Sequence, residues 1–378
     1  MSTGLFLFYK MEEQRVVICT DLKSELQKFL SSLTYNKLFV LTDNNTLEKC
    51  FPILQDVPAM QNATLITVKA GDTYKSVEQL SFIWSRLSNE GASRDSILLN
   101  LGGGMITDMG GFAGATFKRG IRTINVPTTL MASVDAAVGG KTGINFNGLK
   151  NEIGSFYPPL CVFVDSQFLQ TLDKDNFLSG YAEMIKHGLI SSEKVLTPLL
   201  QFDLNALFSN VHKATINSQL SIVNDQLTEL VAQSIAVKEH IVAEDPKEKG
   251  IRKALNFGHT IGHAFESLSF IKNAPLLHGH AVAAGIICEL YLSYKEVHFP
   301  MDKLSQIVYY IKENYPLFYF DCNDYERLYE LMTHDKKNEG GVINFTLLAN
   351  VGDVRINQDV SKDKILASLD FYRESFGI

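Results

Sequence analysis

The chain has 378 residues, of which 46% are hydrophobic and 20% are charged, and this composition predicts a globular protein long enough for two domains. Its formal net charge of -7 argues against nonspecific nucleic-acid binding, which requires a basic face. No apolar run is long enough for a transmembrane helix, and the first residues lack the basic segment and cleavage site of a signal peptide. We therefore expect a cytoplasmic protein that binds neither membranes nor nucleic acids.

Over about the first 170 residues, short β-branched runs alternate with segments of helical periodicity. Such alternation predicts a mostly parallel, Rossmann-like sheet with helices on its faces. The predicted helices span 76–91 and 105–117, and the predicted strands span 37–43, 63–71, 96–104, 121–129 and 161–166.

From about residue 176 onward the pattern becomes helical, with one short strand candidate at 342–350. The predicted helices there span 178–190, 215–245, 280–297 and 302–315, and 256–266 also has helical spacing. We therefore predict an α/β domain over 1–175 and a mostly helical domain over 176–378. The active site is expected in the cleft between them, where ligands commonly bind.

Three consecutive glycines, Gly102, Gly103 and Gly104, follow one predicted strand and open a helix. Glycines let backbone N–H groups approach an anion, and the helix amino terminus favours negative charge. The motif is not GxGxxG, so a tight strand–helix turn without a ligand is the alternative interpretation. Asp43, Asp72 and Lys75 follow neighbouring strands, whose carboxyl ends are where such sheets bind nucleotides.

Residues 126–156 combine many glycines with polar side chains and few apolar anchors. A loop of this length within a compact chain is typically functional or disordered, and its composition favours function. Its two lysines are suited to holding a phosphate or a carboxylate. The polar candidates in the segment are Thr128, Thr129, Asp135, Lys141, Lys150 and Asn151.

Glu183, His259 and His278 lie in three separate helical segments and together form a ligand set suited to catalytic zinc. His263 stands four residues after His259, so both imidazoles share one helix face. Any one of these histidines alone is also consistent with a structural role. Cations near these motifs indicate a small, multiply anionic substrate, and they are Lys186, Lys238, Arg252, Lys336 and Lys337.

The five cysteines are scattered, odd in number and without CxxC spacing, so we expect buried, reduced thiols. Histidine and carboxylate therefore remain the side chains to consider for metal binding.

Six motifs in consistent order over about residues 40–345 resemble the 3-dehydroquinate synthase family, within the sugar phosphate cyclase superfamily. They are GGGMITDMGGFAGATFKRG, VPTTLMASVDAAVGGKTGIN, LKNEIGSF, AEMIKHG, LNFGHTIGHAFE and LHGHAVAAG. The resemblance implies conversion of 3-deoxy-D-arabino-heptulosonate 7-phosphate to 3-dehydroquinate and phosphate, in the shikimate pathway of aromatic amino acid biosynthesis. The implied steps are transient oxidation by NAD+, phosphate elimination, re-reduction, ring opening and intramolecular aldol closure.

The resemblance also implies NAD+ and Zn2+ as cofactors, with Co2+ as a second possible metal, and a homodimer as the assembly. Glu183, His259 and His278 would bind the metal. The implied NAD residues are Asp43, Asn44, Asn45, Asp72, Lys75, Gly102, Gly103, Gly104, Asp108, Thr128, Thr129, Lys141, Lys150, Phe168 and Thr171. The implied substrate residues are Arg119, Asp135, Lys141, Asn151, Lys186, Lys238, Arg252, Asn256, His263 and one of Lys336 and Lys337.

Three positions depart from the family pattern: His280 and Asp72 replace glutamate, and His187 replaces tyrosine. His280 lies two residues past His278, so on a helix it faces away from the metal, and we expect His187 to be structural. The Asp72 side chain is one methylene shorter than glutamate, so its carboxylate reaches less far toward the ribose of NAD. The alternative functions are another sugar phosphate cyclase, of valiolone or deoxy-inosose type, and a metal-dependent alcohol or glycerol dehydrogenase.

Overall fold

The computed structural model describes residues 14–147, 149–210, 218–333 and 343–378. The chain forms two compact units. The first unit comprises Met1–Pro127 and Gly140–Asp165, and the second comprises Thr128–Gly139 and Ser166–Ile378. Residues 128–139, which we predicted to belong to the α/β domain, are thus part of the second unit.

Six of the described strands form one parallel sheet in the first unit. In chain order, all the described strands are β1 (Arg15–Ile18), β2 (Leu38–Asp43), β3 (Thr64–Val68), β4 (Ile97–Gly102), β5 (Arg122–Pro127), β6 (Lys141–Phe146), β7 (Leu149–Phe156), β8 (Cys161–Val164), β9 (Asn344–Asn350) and β10 (Asp353–Asp359). Outside the six-stranded sheet, β6 pairs with β7 and β9 pairs with β10. The order in the sheet is β1-β8-β5-β4-β2-β3, so the five predicted strands are confirmed as β2, β3, β4, β5 and β8. Every residue of β2 and β4 is buried, as expected for central strands covered on both faces.

The helices account for most of the second unit and for the layers against the sheet. Those described are α1 (Leu22–Ser31), α2 (Asn44–Lys49), α3 (Phe51–Leu54), α4 (Val77–Asn89), α5 (Gly104–Thr116), α6 (Lys174–Ser191), α7 (Glu193–Gln201), α8 (Leu204–Asn210), α9 (Ser218–Glu244), α10 (His259–Ile271), α11 (His278–Val297), α12 (Met301–Asn314), α13 (Tyr325–Thr333) and α14 (Lys362–Phe376). The predicted helices are confirmed as α4, α5, α6, α9, α10, α11 and α12 within the described residues. None of the described helices is long and apolar enough to cross a membrane.

Close backbone packing holds α5 against the sheet. A Cβ on Gly110 would lie 2.0 Å from Asn100 Oδ1 of β4, and one on Gly114 would lie 2.3 Å from Thr123 Cγ2 of β5. Real Cβ atoms do not make such contacts, so these glycines permit the helix to sit close above the strands. The amino terminus of α5 is thereby fixed at the carboxyl end of β4.

Two long helices, α6 and α11, form the centre of the second unit. All residues of α6 from Phe177 to Ile190 are buried, and α11 is buried almost continuously from Gly279 to Ser293. Their close approach depends on Gly279, whose added Cβ would lie 1.8 Å from the carbonyl oxygen of Ser179. A helix that is buried on all sides lies in a core, and this core carries the charged residues described below.

The prediction of one long loop over 126–156 is wrong. Residues 132–136 form a π-helical turn, and 141–156 form the antiparallel hairpin β6–β7. Seven of the eight residues of β7 are exposed, so the usual alternation of apolar and polar residues is missing from its sequence. The sequence prediction also missed the strands β1 and β10.

The prediction that all five cysteines are buried is wrong for Cys322. This residue is exposed because it lies in a short turn at Cys322–Asp324.

Candidate active site

The glycine-rich turn of the first unit lies where the sequence placed it. Gly102 ends β4, Gly103 precedes α5 in an extended conformation, and Gly104 is the first helical residue. No side chain among the described residues caps this helix, so its first N–H groups face an open turn. A Cβ on Gly102 would lie 2.6 Å from Ile106, so only glycine fits there.

The neighbouring strand β2 ends in Asp43, which is buried and caps α2. Its Oδ1 accepts the N–H of Thr46 at 2.9 Å, and the Thr46 hydroxyl in turn accepts the N–H of Asp43. Asn44 and Asn45 follow in the exposed first turn of α2. Because β2 and β4 are parallel neighbours, these residues lie at the same sheet edge as the glycines.

Lys75, Asp108 and Asn151 form one polar cluster in the first unit, in which Lys75 is buried and Asn151 is exposed. Lys75 Nζ lies 2.6 Å from Asp108 Oδ2 and also donates to the side-chain oxygen of Asn151 on β7. The N–H of Asn145 donates to the Lys75 carbonyl at 2.8 Å, which attaches the hairpin to this loop. The structure thus brings together residues predicted for NAD and for substrate.

The shortened carboxylate Asp72 is exposed and lies 3.0 Å from Lys150 Nζ. Both members of this ion pair, Asp72 and Lys150, were predicted to bind NAD. Arg119 and Lys141 are exposed in the first unit, Arg119 in a short turn and Lys141 at the start of β6.

Four further NAD predictions fall in the second unit or at its start. Thr128 is buried, and the Thr129 hydroxyl accepts the N–H of Ala132 at 3.1 Å. Phe168 is fully buried, and the Thr171 hydroxyl donates to its carbonyl at 2.7 Å. Local hydrogen bonds therefore account for the positions of the Thr129 and Thr171 side chains. Their contact with a cofactor stays a prediction.

Asp135 and Lys238 form a close ion pair within the second unit. Lys238 Nζ on α9 lies 2.6 Å from Asp135 Oδ1 and also donates to the Asp135 carbonyl. Burial alone would raise the pKa of Asp135, but Lys238 and Lys186 outweigh it and hold the pKa below its usual value. The carboxylate is therefore ionised, and the ammonium group is fixed by two acceptors.

The predicted metal ligands meet in the core of the second unit. Glu183 Oε1 on α6 lies 3.4 Å from His259 Nε2 on α10 and 3.6 Å from His278 Nε2 on α11. Ligand atoms around a tetrahedral zinc, with bonds of ~2.0–2.1 Å, stand about 3.3 Å apart. These separations suit a divalent metal with little rearrangement.

Ring orientation supports the same interpretation. His259 Nδ1 faces the Phe257 carbonyl at 3.1 Å, and His278 Nδ1 faces Glu266 Oε2 at 3.2 Å. An acceptor at Nδ1 places the proton there and leaves the Nε2 lone pair available for a metal. Both Nε2 atoms then face the same oxygen of Glu183.

Glu183 itself is completely buried, and Lys186 Nζ forms an ion pair with its Oε2. Neither carboxylate oxygen accepts a hydrogen bond of good geometry from the described residues. Burial would raise the pKa of Glu183, but the charges of Lys186 and His259 hold it well below the usual value. An ionised carboxylate with incompletely satisfied oxygens is what a cation-binding site requires.

His263 joins the cluster on the same face of α10. Nitrogen atoms of His259, His263 and His278 lie within 4.8 Å of one another, so the three imidazoles also form a possible ligand set. Our assignment of His263 to substrate and Glu183 to metal stays a prediction.

Glu266 is a functional candidate that the sequence analysis missed. It is buried on α10, one turn beyond His263, and it holds His278. Burial would lower the pKa of His278, but the charge of Glu266, the nearby carboxylate of Glu183 and the hydrogen bond to Glu266 raise it to about 10. Without a bound metal the His278 ring is therefore protonated on both nitrogens. A metal would displace the proton on Nε2. The spacing His259–His263–Glu266 on one helix face was the available signal.

Arg252 and Asn256 lie on the short turn before α10. Arg252 is fully buried, and its guanidinium donates to the carbonyls of Pro246 at 2.7 Å and Gly139 at 3.1 Å. Asn256 donates to Glu248 Oε1 at 3.0 Å. Lys336 and Lys337 lie outside the described residues.

The two histidine departures have different surroundings. His280 Nε2 contacts the Asp175 carbonyl at 3.1 Å, and its ring packs edge-on against Tyr315. It lies outside the metal-type clusters found among the described residues, as expected for position i+2. His187 is buried with its Nδ1 2.7 Å from the Ser234 hydroxyl, and burial together with Lys186 lowers its pKa to about 3. This neutral ring joins Asp135 and Glu183 within 4.8 Å, so it borders the cluster.

Two family models together match residues 65–338 of the chain. Residues 65–179 match the amino-terminal model of 3-dehydroquinate synthase, and residues 180–338 match its carboxyl-terminal model. The chain is 72% identical to the 3-dehydroquinate synthase of Parabacteroides distasonis over 97% of its own length and 100% of that protein. The chain belongs to the 3-dehydroquinate synthase family.

Solved structures show the same fold at much lower identity. The 2-epi-5-epi-valiolone synthase of Streptomyces hygroscopicus, solved with NAD+ and Zn2+ bound, superposes with a TM-score of 0.82 at 21% identity, over 96% of this chain and 97% of that one. A 2-deoxy-scyllo-inosose synthase, solved with NAD+, Co2+ and carbaglucose-6-phosphate, gives a TM-score of 0.77 at 21% identity, over 96% of each chain. Both are sugar phosphate cyclases, and at this identity they establish the fold alone.

Proposed function

We propose that this protein catalyses the reaction of its family, the conversion of 3-deoxy-D-arabino-heptulosonate 7-phosphate to 3-dehydroquinate and phosphate. The observation that carries the proposal is the convergence of His259 and His278 on one oxygen of Glu183, within a chain 72% identical to a 3-dehydroquinate synthase. The buried cations beside that cluster suit a substrate with both a phosphate and a carboxylate.

We further propose that Glu183, His259 and His278 hold a zinc ion, with cobalt as an alternative. Their fit rests on the ligand-atom separations and on the two Nδ1 acceptors described above. A bound divalent metal supplies Lewis acidity toward substrate hydroxyl groups. His263, which lies beside these ligands, would then be available to contact the substrate.

NAD+ is the proposed second cofactor, held at the sheet edge of the first unit. The first turn of α5, which no described side chain caps, supports an anionic group there. Asp43, Asp72, Lys75 and Asp108 would supply polar contacts around it. Bound NAD+ supplies a hydride acceptor that returns the hydride later, so the overall reaction involves no net oxidation.

The chain's own residues bind and orient the charged substrate. Lys186 and Lys238 are both buried, and each is held by a carboxylate, so their ammonium groups have fixed positions. Arg252 is likewise fixed by two backbone carbonyls. Preorganised cations of this kind need not reorganise as negative charge develops on a departing phosphate.

The substrate assignment is tested by comparing three sugar phosphates with the purified protein, NAD+ and zinc. Phosphate release from the heptulosonate substrate, with little release from sedoheptulose 7-phosphate or glucose 6-phosphate, is the expected result. Preferred turnover of either sugar phosphate without a carboxylate would overturn the proposal and indicate another cyclase activity.

We also propose that the protein is a cytoplasmic homodimer. The hairpin β6–β7 exposes four large apolar side chains, which is typical of a surface that a partner covers. They are Phe146, Leu149, Ile153 and Phe156. None of the five cysteines forms a disulfide, which is consistent with a reducing compartment.

A further inference from the structure

A buried carboxylate outside the proposed ligand set contacts the helix that carries two of the histidines. Glu289 lies on α11 and is completely buried. Its Oε2 accepts the N–H of Gly258 at 2.6 Å, and its Oε1 accepts the N–H of Ile261 at 3.1 Å. Both donors belong to the first turn of α10 or directly precede it.

The first turn of α10 needs acceptors that its own sequence lacks. Its N-cap, Gly258, has the left-handed conformation with φ +80 and has no side chain with which to cap the helix. The first N–H groups of a helix have no partner within the helix, and the positive end of its dipole favours a carboxylate. Glu289 meets both requirements from the neighbouring helix.

The same two helices also touch backbone to backbone. A Cβ on Gly285 of α11 would lie 2.1 Å from the Gly258 carbonyl and 2.7 Å from the Gly262 nitrogen. This contact fixes the spacing of α10 and α11, and the two hydrogen bonds to Glu289 fix the first turn of α10. His259 is the first residue of α10, and His278 is the first residue of α11.

We propose that Glu289 is a positioning residue for His259, acting through the backbone of the first turn of α10. Its carboxylate holds the turn so that the imidazole keeps the observed separations from Glu183 and His278. This inference rests on the proposed metal-dependent function, and it concerns a residue that does not touch the metal or the substrate.

The test compares metal binding by the full-length wild type and by Glu289→Gln. The amide is nearly isosteric but places an N–H₂ group against one of the two donors. Zinc affinity is measured by competition with a chromophoric chelator, and site geometry by the visible d–d spectrum of the cobalt-loaded protein. We expect zinc binding about 10–100-fold weaker and an altered cobalt spectrum, as for other residues that orient metal ligands.

Ser293→Ala is the matched control. Ser293 is also buried on α11, and its hydroxyl accepts the N–H of Leu348 at 3.0 Å and donates to the backbone carbonyl of Glu289 at 2.7 Å. The variant thus removes a buried hydroxyl beside Glu289 but keeps the Glu289 carboxylate and its two bonds to α10. We expect a lower Tm for this variant with zinc affinity within about twofold of wild type. Equal loss of zinc affinity in both variants would overturn the inference, because general destabilisation would then explain it.

Unchanged zinc affinity and cobalt spectrum in Glu289→Gln, with a wild type that binds both metals, would overturn this inference alone. A wild type that binds neither metal would overturn the metal-dependent function and this inference together. If Glu289→Gln does not fold, Glu289→Asp replaces it, because the shorter side chain keeps the charge. Weaker zinc binding by that variant supports the inference, and wild-type binding overturns it.

Discussion

At the scale of single residues, the acceptor at Nδ1 of each imidazole sets the orientation of His259 and His278 in the proposed metal site. The Phe257 carbonyl holds His259, and the Glu266 carboxylate holds His278, so both Nε2 atoms face Glu183. His263 shares the helix face but has a different expected role, contact with substrate. Substitution of each residue separates these roles.

His259→Ala removes a proposed ligand, so we expect loss of both bound zinc and turnover. His263→Ala is expected to retain about one zinc per chain and to lose turnover only, since three ligands suffice to hold a catalytic zinc. Metal content after dialysis and the rate of phosphate release measure the two effects. Loss of zinc in His263→Ala would instead favour the set of three histidines.

Glu266→Gln removes the charge that orients His278 while keeping the size of the side chain. We expect zinc affinity to fall about 10–100-fold, because the ring loses its anionic acceptor. Chelator competition measures the affinity. Glu296→Gln on α11 is a control, because Glu296 pairs with Lys364 instead. A Glu266→Gln variant with the zinc affinity of that control would contradict this role.

At the scale of elements, the site depends on how closely α10 and α11 approach. Gly285→Ala would place a methyl group against the backbone of Gly258 and Gly262. Overpacking of this kind costs about 1–3 kcal/mol of unfolding free energy, and the helices must separate to relieve it. We expect a Tm lower by several degrees together with weaker zinc binding. Calorimetry and chelator competition showing wild-type values would contradict the close contact.

The hairpin β6–β7 is the element assigned to dimerisation. Leu149→Glu adds a charge to its exposed apolar surface, so we expect the protein to sediment as a monomer. Tyr309→Glu is the control, since Tyr309 is also an exposed large hydrophobic residue but lies on α12 in the second unit. Analytical ultracentrifugation distinguishes the species. A dimer that persists in Leu149→Glu, or a monomeric wild type, would contradict this assignment.

At the scale of the whole molecule, the parts predicted from the sequence are those with strong local patterns. The buried runs of β2 and β4 and the long helix α11 are apolar enough to be recognised without tertiary information. The hairpin was missed because β7 is exposed along nearly its whole length and its sequence lacks the alternation of apolar and polar residues, while β6 is short. Its register depends on pairing between strands, which periodicity does not reveal.

The site was predictable to the extent that its residues follow recognisable motifs. Glu183, His259 and His278 were found together by ligand chemistry and are confirmed as neighbours in space. Glu266 and Glu289 were missed because their role depends on partners in other parts of the fold, the ring of His278 and the backbone at Gly258. The association of residues 128–139 with the second unit depends likewise on tertiary contacts from Lys238 and Arg252.

We propose that the protein converts a seven-carbon sugar acid phosphate to a carbocycle by a redox-neutral route. Dehydroquinate, inorganic phosphate and NADH measured together during turnover of 3-deoxy-D-arabino-heptulosonate 7-phosphate test this proposal. We expect equal amounts of dehydroquinate and phosphate, with no accumulation of NADH. NADH that accumulates in proportion to substrate consumed, without release of phosphate, would contradict the proposal and indicate a dehydrogenase.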